Sequence, residues 1–125
     1  MLQNATLFSL ASRLADHAAQ RQVTAAQNIA NADTPDYRAQ RISEFEVAMD
    51  TGAVSLRQTR EGHLGQGGNA HAFSIQEDRQ FLSPNGNSVS IENEMVMAAS
   101  AQRDHDKALA IYRHGLSIMR SALGR

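Results

Sequence analysis

The C-terminal third of the chain carries the strongest hydrophobic pattern. Apolar positions recur there in steps that alternate between four and three residues, without a break over more than four heptads. Such a repeat lines one side of an α-helix and is typical of a helix that packs in a coiled coil. The spacing predicts a long helix with a contact surface, here called the C-terminal stripe, that consists of Ile91, Met95, Ala98, Gln102, His105, Leu109, Tyr112, Leu116, Met119 and Leu123.

This predicted helix has marked ends and a second apolar face. Ser90 is suited to the N-cap, and Glu92 and Glu94 lie in the electropositive first turn. Three arginines, Arg113, Arg120 and Arg125, lie toward the electronegative end. One partner helix cannot cover two apolar faces, so we expect this end of the helix to lie among several helices. The second face consists of Ala108, Ile111, Gly115, Ile118 and Ala122.

The N-terminal segment shows a weaker version of the same pattern. Its apolar positions again follow helical spacing, and several alanines widen the stripe. The pattern predicts a helix from about Thr6 to about Ala30, with a contact face made of Leu7, Ala11, Leu14, Ala18, Ala25 and Ile29.

The middle of the chain has a different composition. Six of the eight glycines lie between Gly52 and Gly86, which disfavours a helix, and β-branched residues are too few for an extensive sheet. Residues 53–59 and 72–76 are candidates for two short strands of a hairpin. The predicted fold is therefore mainly α. Residues 1–32 and 88–125 form two long helices that pair as one coiled-coil layer, and residues 33–87 form a loop and a glycine-rich irregular or β-hairpin insert.

The first predicted helix stops abruptly at the sequence NIANADTPDY, residues 28–37. Asn28 and Asn31 are weak helix formers because their amides compete for backbone groups. Pro35 lacks a backbone donor and disfavours helical geometry at Thr34. Tyr37 offers a ring with a polar tip where the chain continues. The segment thus predicts a sharp turn that directs the following residues, although an ordinary helix stop explains the same residue types.

Composition narrows the possible functions. The net charge of −1 provides no field that would attract nucleic acid or an anionic membrane. The chain has no cysteine, which excludes disulfides and thiolate metal sites. No apolar run approaches the ~20 residues of a spanning helix. The N-terminus also lacks the basic and apolar regions of a secretory signal, so we expect no cleaved signal peptide.

The sequence shows no catalytic, metal-binding or cofactor-binding constellation. His63 and His71 are eight residues apart in a glycine-rich stretch without a carboxylate or thiol at a useful spacing, so we interpret them as solvated loop residues. His105 lies in the C-terminal stripe, where a polar layer helps to set helix register. The segment GHLGQGG, residues 62–68, lacks the spacing, the lysine and the following helix of a phosphate loop.

Two segments resemble a known family. The segment NIANADTPDY, after an amphipathic helix, is similar to the N-terminal signature of bacterial flagellar axial proteins, which include rod, hook and hook-junction components. The segment SVSIENEMVMAASAQR, residues 88–103, is similar to the C-terminal signature of the same family. The short chain, the small insert and the segment TREGHL, residues 59–64, resemble the flagellar basal-body rod proteins. The choice between two short proximal rod proteins stays open at this point.

The resemblance implies a structural role. Residues Asn28, Ile29, Asn31, Thr34, Pro35 and Tyr37 would form the family motif and its turn. The large apolar residues of the C-terminal stripe would carry assembly; these are Ile91, Met95, Leu109, Tyr112, Leu116, Met119 and Leu123. The implied partners are other rod and basal-body proteins, neighbouring copies and the flagellar type III export apparatus, without nucleic acid or a small-molecule substrate. The implied location is the periplasmic part of the rod, which polymerises as a drive shaft around the export channel.

One position departs from the family pattern, and two other functions remain possible. The family has glycine after the proline, whereas this chain has Asp36, so the sequence permits either a type II turn with positive φ or a type I turn. A coiled-coil adaptor or secreted helical effector would need the heptads but not both signatures. A small periplasmic hydrolase would use His63 or His71.

Overall fold

Two long helices dominate the structure. The computed structural model describes residues 2–45 and 73–124, in the order α1 (Leu2–Ala30), β1 (Ala39–Ile42), β2 (Ile75–Asp78) and α2 (Ile91–Ala122). The predicted mainly helical fold is confirmed. α1 begins earlier than predicted, and α2 begins directly after Ser90, as predicted.

The two helices pack antiparallel through small side chains. Contacts join the start of α1 to the end of α2 and the end of α1 to the start of α2. The seam uses positions seven residues apart, so each contact falls on the same side of its helix. Alanine and glycine at these positions let the two backbones approach closely. Every alanine in the seam is at most 3% exposed; the seam consists of Ala11, Ala18 and Ala25 of α1 and of Ala101, Ala108 and Gly115 of α2.

The seam is not the predicted C-terminal stripe. On α2 it occupies the positions that immediately precede one half of that stripe, and most of the stripe's large side chains stay exposed in the single chain. The hydrophobic periodicity of the sequence identified both apolar faces of α2, and the pattern was longer on the face with the larger residues. The face with smaller residues packs against α1 because it allows the shorter distance between helices. The pairing of the two helices is confirmed, and the structure shows which face of α2 packs against α1, a choice that the sequence had left open.

The two strands form a small antiparallel sheet beside α1. Ala39 is paired with Asp78 and Ile42 with Ile75. β2 overlaps the predicted strand at residues 72–76, whereas the other predicted strand, residues 53–59, lies outside the described residues. β1 lies where a loop was predicted, and its AQRI sequence is poor in β-formers. Tertiary contacts, described below, therefore stabilise this strand more than its own propensity does.

Neither α1 nor α2 is apolar enough over its length to cross a lipid bilayer. The described residues also contain no group of three histidine or carboxylate side chains that could hold a metal ion.

Candidate functional site

The two family-like segments meet in one buried junction. Asn28 of α1 is fully buried and uses all of its hydrogen-bonding capacity. Its Nδ2 donates to the Gln40 carbonyl at 2.8 Å and to Glu94 Oε2 at 3.1 Å. Its Oδ1 accepts from the Gln40 backbone N–H at 2.9 Å and from the Tyr37 hydroxyl at 3.3 Å. One side chain thus connects α1, β1 and α2.

A buried ion pair completes this connection. Glu94 is fully buried in the first turn of α2, and Arg41 Nη1 of β1 donates to its Oε1 at 2.5 Å. Arg41 Nε also lies 3.3 Å from Asp78 Oδ2 of β2. The carboxylate of Glu94 therefore faces a cation and an amide, and loss of either partner would leave a buried charge incompletely compensated. This arrangement holds both strands against the start of α2.

Asn87 joins the turn that follows α1 to the loop that precedes α2. The buried Nδ2 of Asn87 lies 2.8 Å from the Asn31 carbonyl, 2.9 Å from that of Ala32 and 2.7 Å from that of Thr34. Its Oδ1 accepts from the Val89 backbone N–H at 2.7 Å. The turn that follows α1 is thus held by the residues that lead into α2.

Ser88, next along the chain, joins the two strands to this loop. Its Oγ accepts from the Ala39 N–H at 2.8 Å and donates to the Asp78 carbonyl at 2.9 Å. Its own N–H donates to the Tyr37 carbonyl at 3.0 Å. These bonds explain why residues 39–42 adopt a strand despite their weak propensity.

The turn at residues 34–37 fits tightly against the same loop. The Tyr37 N–H donates to the Thr34 carbonyl at 3.4 Å, and Asp36 has φ of 59°. Positive φ at the third residue is a requirement of a type II turn and not of a type I turn, so the choice left open by the sequence is now made. A Cβ on Gly86, which has φ of 80°, would overlap Asp36 Oδ1. The turn therefore requires a glycine on the opposite loop.

The structure brings most of the predicted motif residues into or next to this junction. Asn28 and Tyr37 form part of its hydrogen-bonded core. Asn31 and Thr34 bond to each other at the end of α1, with Thr34 Oγ1 donating to Asn31 Oδ1 at 3.2 Å. Ile29 and Pro35 are exposed. The sequence analysis did not identify the residues that bind the motif, which are Arg41, Asn87, Ser88 and Glu94. The only signals for them in the sequence were the NGNS segment before α2 and the acidic residue in its first turn.

The C-terminal stripe lies on the outside of the helix pair. Met95 is 62% exposed and Leu123 is 73% exposed. Ile91, Leu109 and Tyr112 are also exposed, although the Tyr112 ring makes an edge-on contact with Phe8 at a centroid distance of 5.0 Å. The two remaining large residues, Leu116 and Met119, are half-buried. The stripe is therefore an exposed or half-buried surface along α2, interrupted at its middle by the polar residues Gln102 and His105.

A cavity of about 430 Å³ lies between α1, β1 and α2. Its wall includes His17, whose Nε2 lies 2.7 Å from the Ser43 carbonyl and therefore carries the proton that it donates. The ring also makes an edge-on contact with Phe73 at 4.8 Å. These contacts are those of a packing residue, although its buried Nδ1 has no hydrogen-bond partner among the residues that the structure describes. His63 and His71, weighed above for hydrolysis, lie outside the described residues.

Two long helices with a small-residue seam, a polar junction that locks their ends together and an open apolar stripe define a helical structural protein. No family model matches the chain. The chain is 32% identical over 111 residues to the flagellar basal body rod protein FlgB of Agrobacterium fabrum (strain C58 / ATCC 33970), and the alignment covers 84% of this chain and 83% of that protein.

The chain belongs to the FlgB family of flagellar basal-body rod proteins. Of FlgB and FlgC, the two short proximal rod proteins between which the sequence left the choice open, the relative found is a FlgB. Family membership confirms the predicted class, which is a structural subunit of the flagellar rod and not an enzyme.

Proposed function

We propose that this chain is a subunit of the proximal part of the flagellar rod that polymerises through α1 and α2. In this proposal the two helices form a coiled-coil layer around the export channel, residues 33–87 form the insert, and the assembled subunits act as a drive shaft. The observation that carries the proposal is the open C-terminal stripe, because a single chain leaves its large apolar residues in water.

The exposed surface is sufficient to drive association. Full burial of one large apolar side chain contributes about 1.5–3 kcal/mol. On both sides of the polar positions Gln102 and His105, the stripe exposes large apolar side chains, and such exposed apolar clusters mark interaction sites on soluble proteins. Heptad spacing additionally suits this surface to another helix rather than to a flat partner. Neighbouring copies and other rod and basal-body proteins are the partners that fit this requirement.

The buried junction serves this function by geometry. Asn28, Arg41 and Glu94 join both helices and the sheet, and Asn87 holds the turn that follows α1. These contacts fix the direction in which the insert leaves the helical layer. The motif residues Asn28, Ile29, Asn31, Thr34, Pro35 and Tyr37 then act by shaping the subunit and not by chemistry.

The location follows from the same proposal. The subunit is delivered by the flagellar type III export apparatus without a cleaved signal peptide, and it is built into the periplasmic part of the rod. The family relationship supports this route.

Two neighbouring residues of α2 provide a matched test of the assembly surface. Met95 belongs to the C-terminal stripe and is 62% exposed, whereas Val96 points to another side of the helix and is 64% exposed. We expect Met95→Ser to reduce swimming and the yield of rods in purified basal bodies, and Val96→Ser to leave both near the wild-type level. Immunoblots of the chain would first establish equal export. Equal rod yield from the two variants would show that the stripe is not the assembly surface.

A further inference from the structure

The loop before α2 contains a reactive pair of neighbouring residues. Asn85 is the one asparagine of the chain that a glycine follows. Glycine has no side chain that would block the approach of its backbone nitrogen to the side-chain amide of the preceding asparagine. Asn85 is also exposed, so water reaches it. The pair is therefore chemically able to form a cyclic imide with loss of ammonia.

The reaction consumes one water molecule and releases one ammonia molecule. The Gly86 nitrogen loses its proton and bonds to Cγ of Asn85, the bond between Cγ and Nδ2 breaks, and ammonia leaves. Water then opens the five-membered imide at either of its two carbonyls. One opening gives aspartate at position 85. The other gives isoaspartate, in which the main chain runs through the side-chain carbons.

The folded loop keeps the reacting atoms apart. Residues 83–86 form a β-turn in which the Gly86 N–H donates to the Ser83 carbonyl at 2.8 Å. Asn85 does not have positive φ, so the turn is type I and ψ of Asn85 is about 0°. At that angle the Gly86 nitrogen points away from the Asn85 side chain, and the imide ring cannot close. The side chain is also held in place, because its Oδ1 accepts from the Asn87 backbone N–H at 3.1 Å.

Contacts with the turn after α1 hold this loop in its closed conformation. The Asp36 N–H donates to the Asn85 carbonyl at 3.1 Å, and Asn87 Nδ2 bonds to the carbonyls at the end of α1. Ring closure requires rotation about ψ of Asn85, which moves the Asn85 carbonyl away from Asp36. We propose that Asn85 is a deamidation site controlled by the junction, protected while the loop is docked and reactive when the loop opens.

The product opposes docking of the loop. Asp36 Oδ1 lies so close to Gly86 that a Cβ there would overlap it. A carboxylate at position 85 adds a second negative charge to the loop that faces Asp36, and like charges disfavour each other. Isoaspartate also lengthens the main chain by one carbon, which displaces the carbonyl that accepts from the Asp36 N–H. The modification therefore accumulates in chains whose junction is open and keeps it open.

Mass spectrometry of the purified full chain tests the protection. The chain is aged in mildly alkaline buffer with and without guanidinium chloride and then digested with trypsin. The peptide of residues 80–103 carries Asn85 and, as an internal control, Asn93, which glutamate follows. We expect deamidation of Asn85 to be at least about tenfold slower without denaturant, because the reaction then waits for local opening. Equal rates at Asn85, or no reaction in guanidinium chloride, would overturn the proposal.

A substitution can open the loop without denaturant. Asn87→Ala removes the bonds to the end of α1, so deamidation of Asn85 in plain buffer should approach the rate in guanidinium chloride while circular dichroism still shows both helices. Gln80→Ala, at an exposed position before the loop, is the control and should keep the wild-type rate. An unchanged rate in Asn87→Ala would show that the junction does not control the reaction.

The effect of the product is measured on the modified chain itself. Its added negative charge allows separation by ion exchange, and we expect the separated chain to unfold at a lower denaturant concentration than fresh chain. Asn85→Gln is the control for other damage during ageing, because glutamine would have to form a less favourable six-membered ring. Its unfolding midpoint should be the same before and after ageing. A modified chain with the midpoint of fresh chain would contradict the effect on docking.

Discussion

Asn28 and Glu94 are both fully buried, and the amide of Asn28 donates to the carboxylate of Glu94 at 3.1 Å although 66 residues separate them. This bond connects the end of α1 to the start of α2 and so joins the two segments that resemble the family signatures. Arg41 approaches the same carboxylate from β1. The relative position of both helices and the sheet thus depends on a few buried polar groups.

Replacement of Asn28 tests the importance of this junction. Asn28→Ala leaves Glu94 and both Gln40 backbone groups short of a partner, so we expect a loss of about 3 kcal/mol or more in the free energy of unfolding. Asn28→Asp places a second carboxylate beside Glu94 and should cost still more. Urea unfolding followed by circular dichroism measures both changes. Asn31→Ala is the control, because the Asn31 amide bonds to the nearby Gln27 carbonyl and its loss should cost no more than about 1 kcal/mol.

A double-mutant cycle can test the close contact between Gly86 and Asp36. Gly86→Ala introduces a Cβ at positive φ that overlaps Asp36 Oδ1, so we expect a loss of about 2–3 kcal/mol in the free energy of unfolding. Asp36→Gly should be neutral or slightly stabilising, because glycine adopts a φ of 59° without strain.

The double variant should be less destabilised than the sum of the two single variants, since Asp36→Gly removes the overlapping carboxylate. Gly124→Ala is the control, because its φ is also positive but its Cβ would meet open space. Additive effects of Gly86→Ala and Asp36→Gly would contradict the overlap.

The turn at residues 34–37 should act through shape. Tyr37→Phe removes one long hydrogen bond to Asn28, so we expect it to cost at most about 1 kcal/mol. Tyr37→Ala also removes the packing of the ring and should be clearly worse. Pro35→Ala relaxes the restriction on Thr34 and should lower rod yield while the protein stays soluble. Swimming assays and thermal unfolding would compare the three variants. A Phe variant as damaged as the Ala variant would indicate that the hydroxyl itself is essential.

Gly115 limits the distance between the helices. A Cβ at this position would lie 3.1 Å from the ring of Phe8, so that ring would have to move slightly. Gly115→Ala combines this contact with a gain of about 1 kcal/mol in helix propensity and should be close to neutral. Gly115→Leu should destabilise by about 1–3 kcal/mol through overpacking. Ala110→Leu, at an exposed position of the same helix, is the control for added apolar volume. A neutral Gly115→Leu variant would contradict the close seam.

Local signals in the sequence determined the helices, the sharp end of α1 and the family resemblance. Ser90 marked the start of α2 correctly, because capping depends on neighbouring residues. The sequence also identified residue 36 as the position where the turn type would be decided, since the choice depends on φ at that residue.

Only the tertiary structure decided which face of α2 packs against α1, where β1 lies and which groups complete the motif. Periodicity marks apolar faces but does not rank two of them on one helix, and close packing favoured the alanines over the larger residues of the C-terminal stripe. Glu94, which bonds to Asn28, and Asn87, which bonds to the turn after α1, each lie more than 50 positions from their partners along the chain. Such contacts depend on how the elements dock, so no local pattern in the sequence records them.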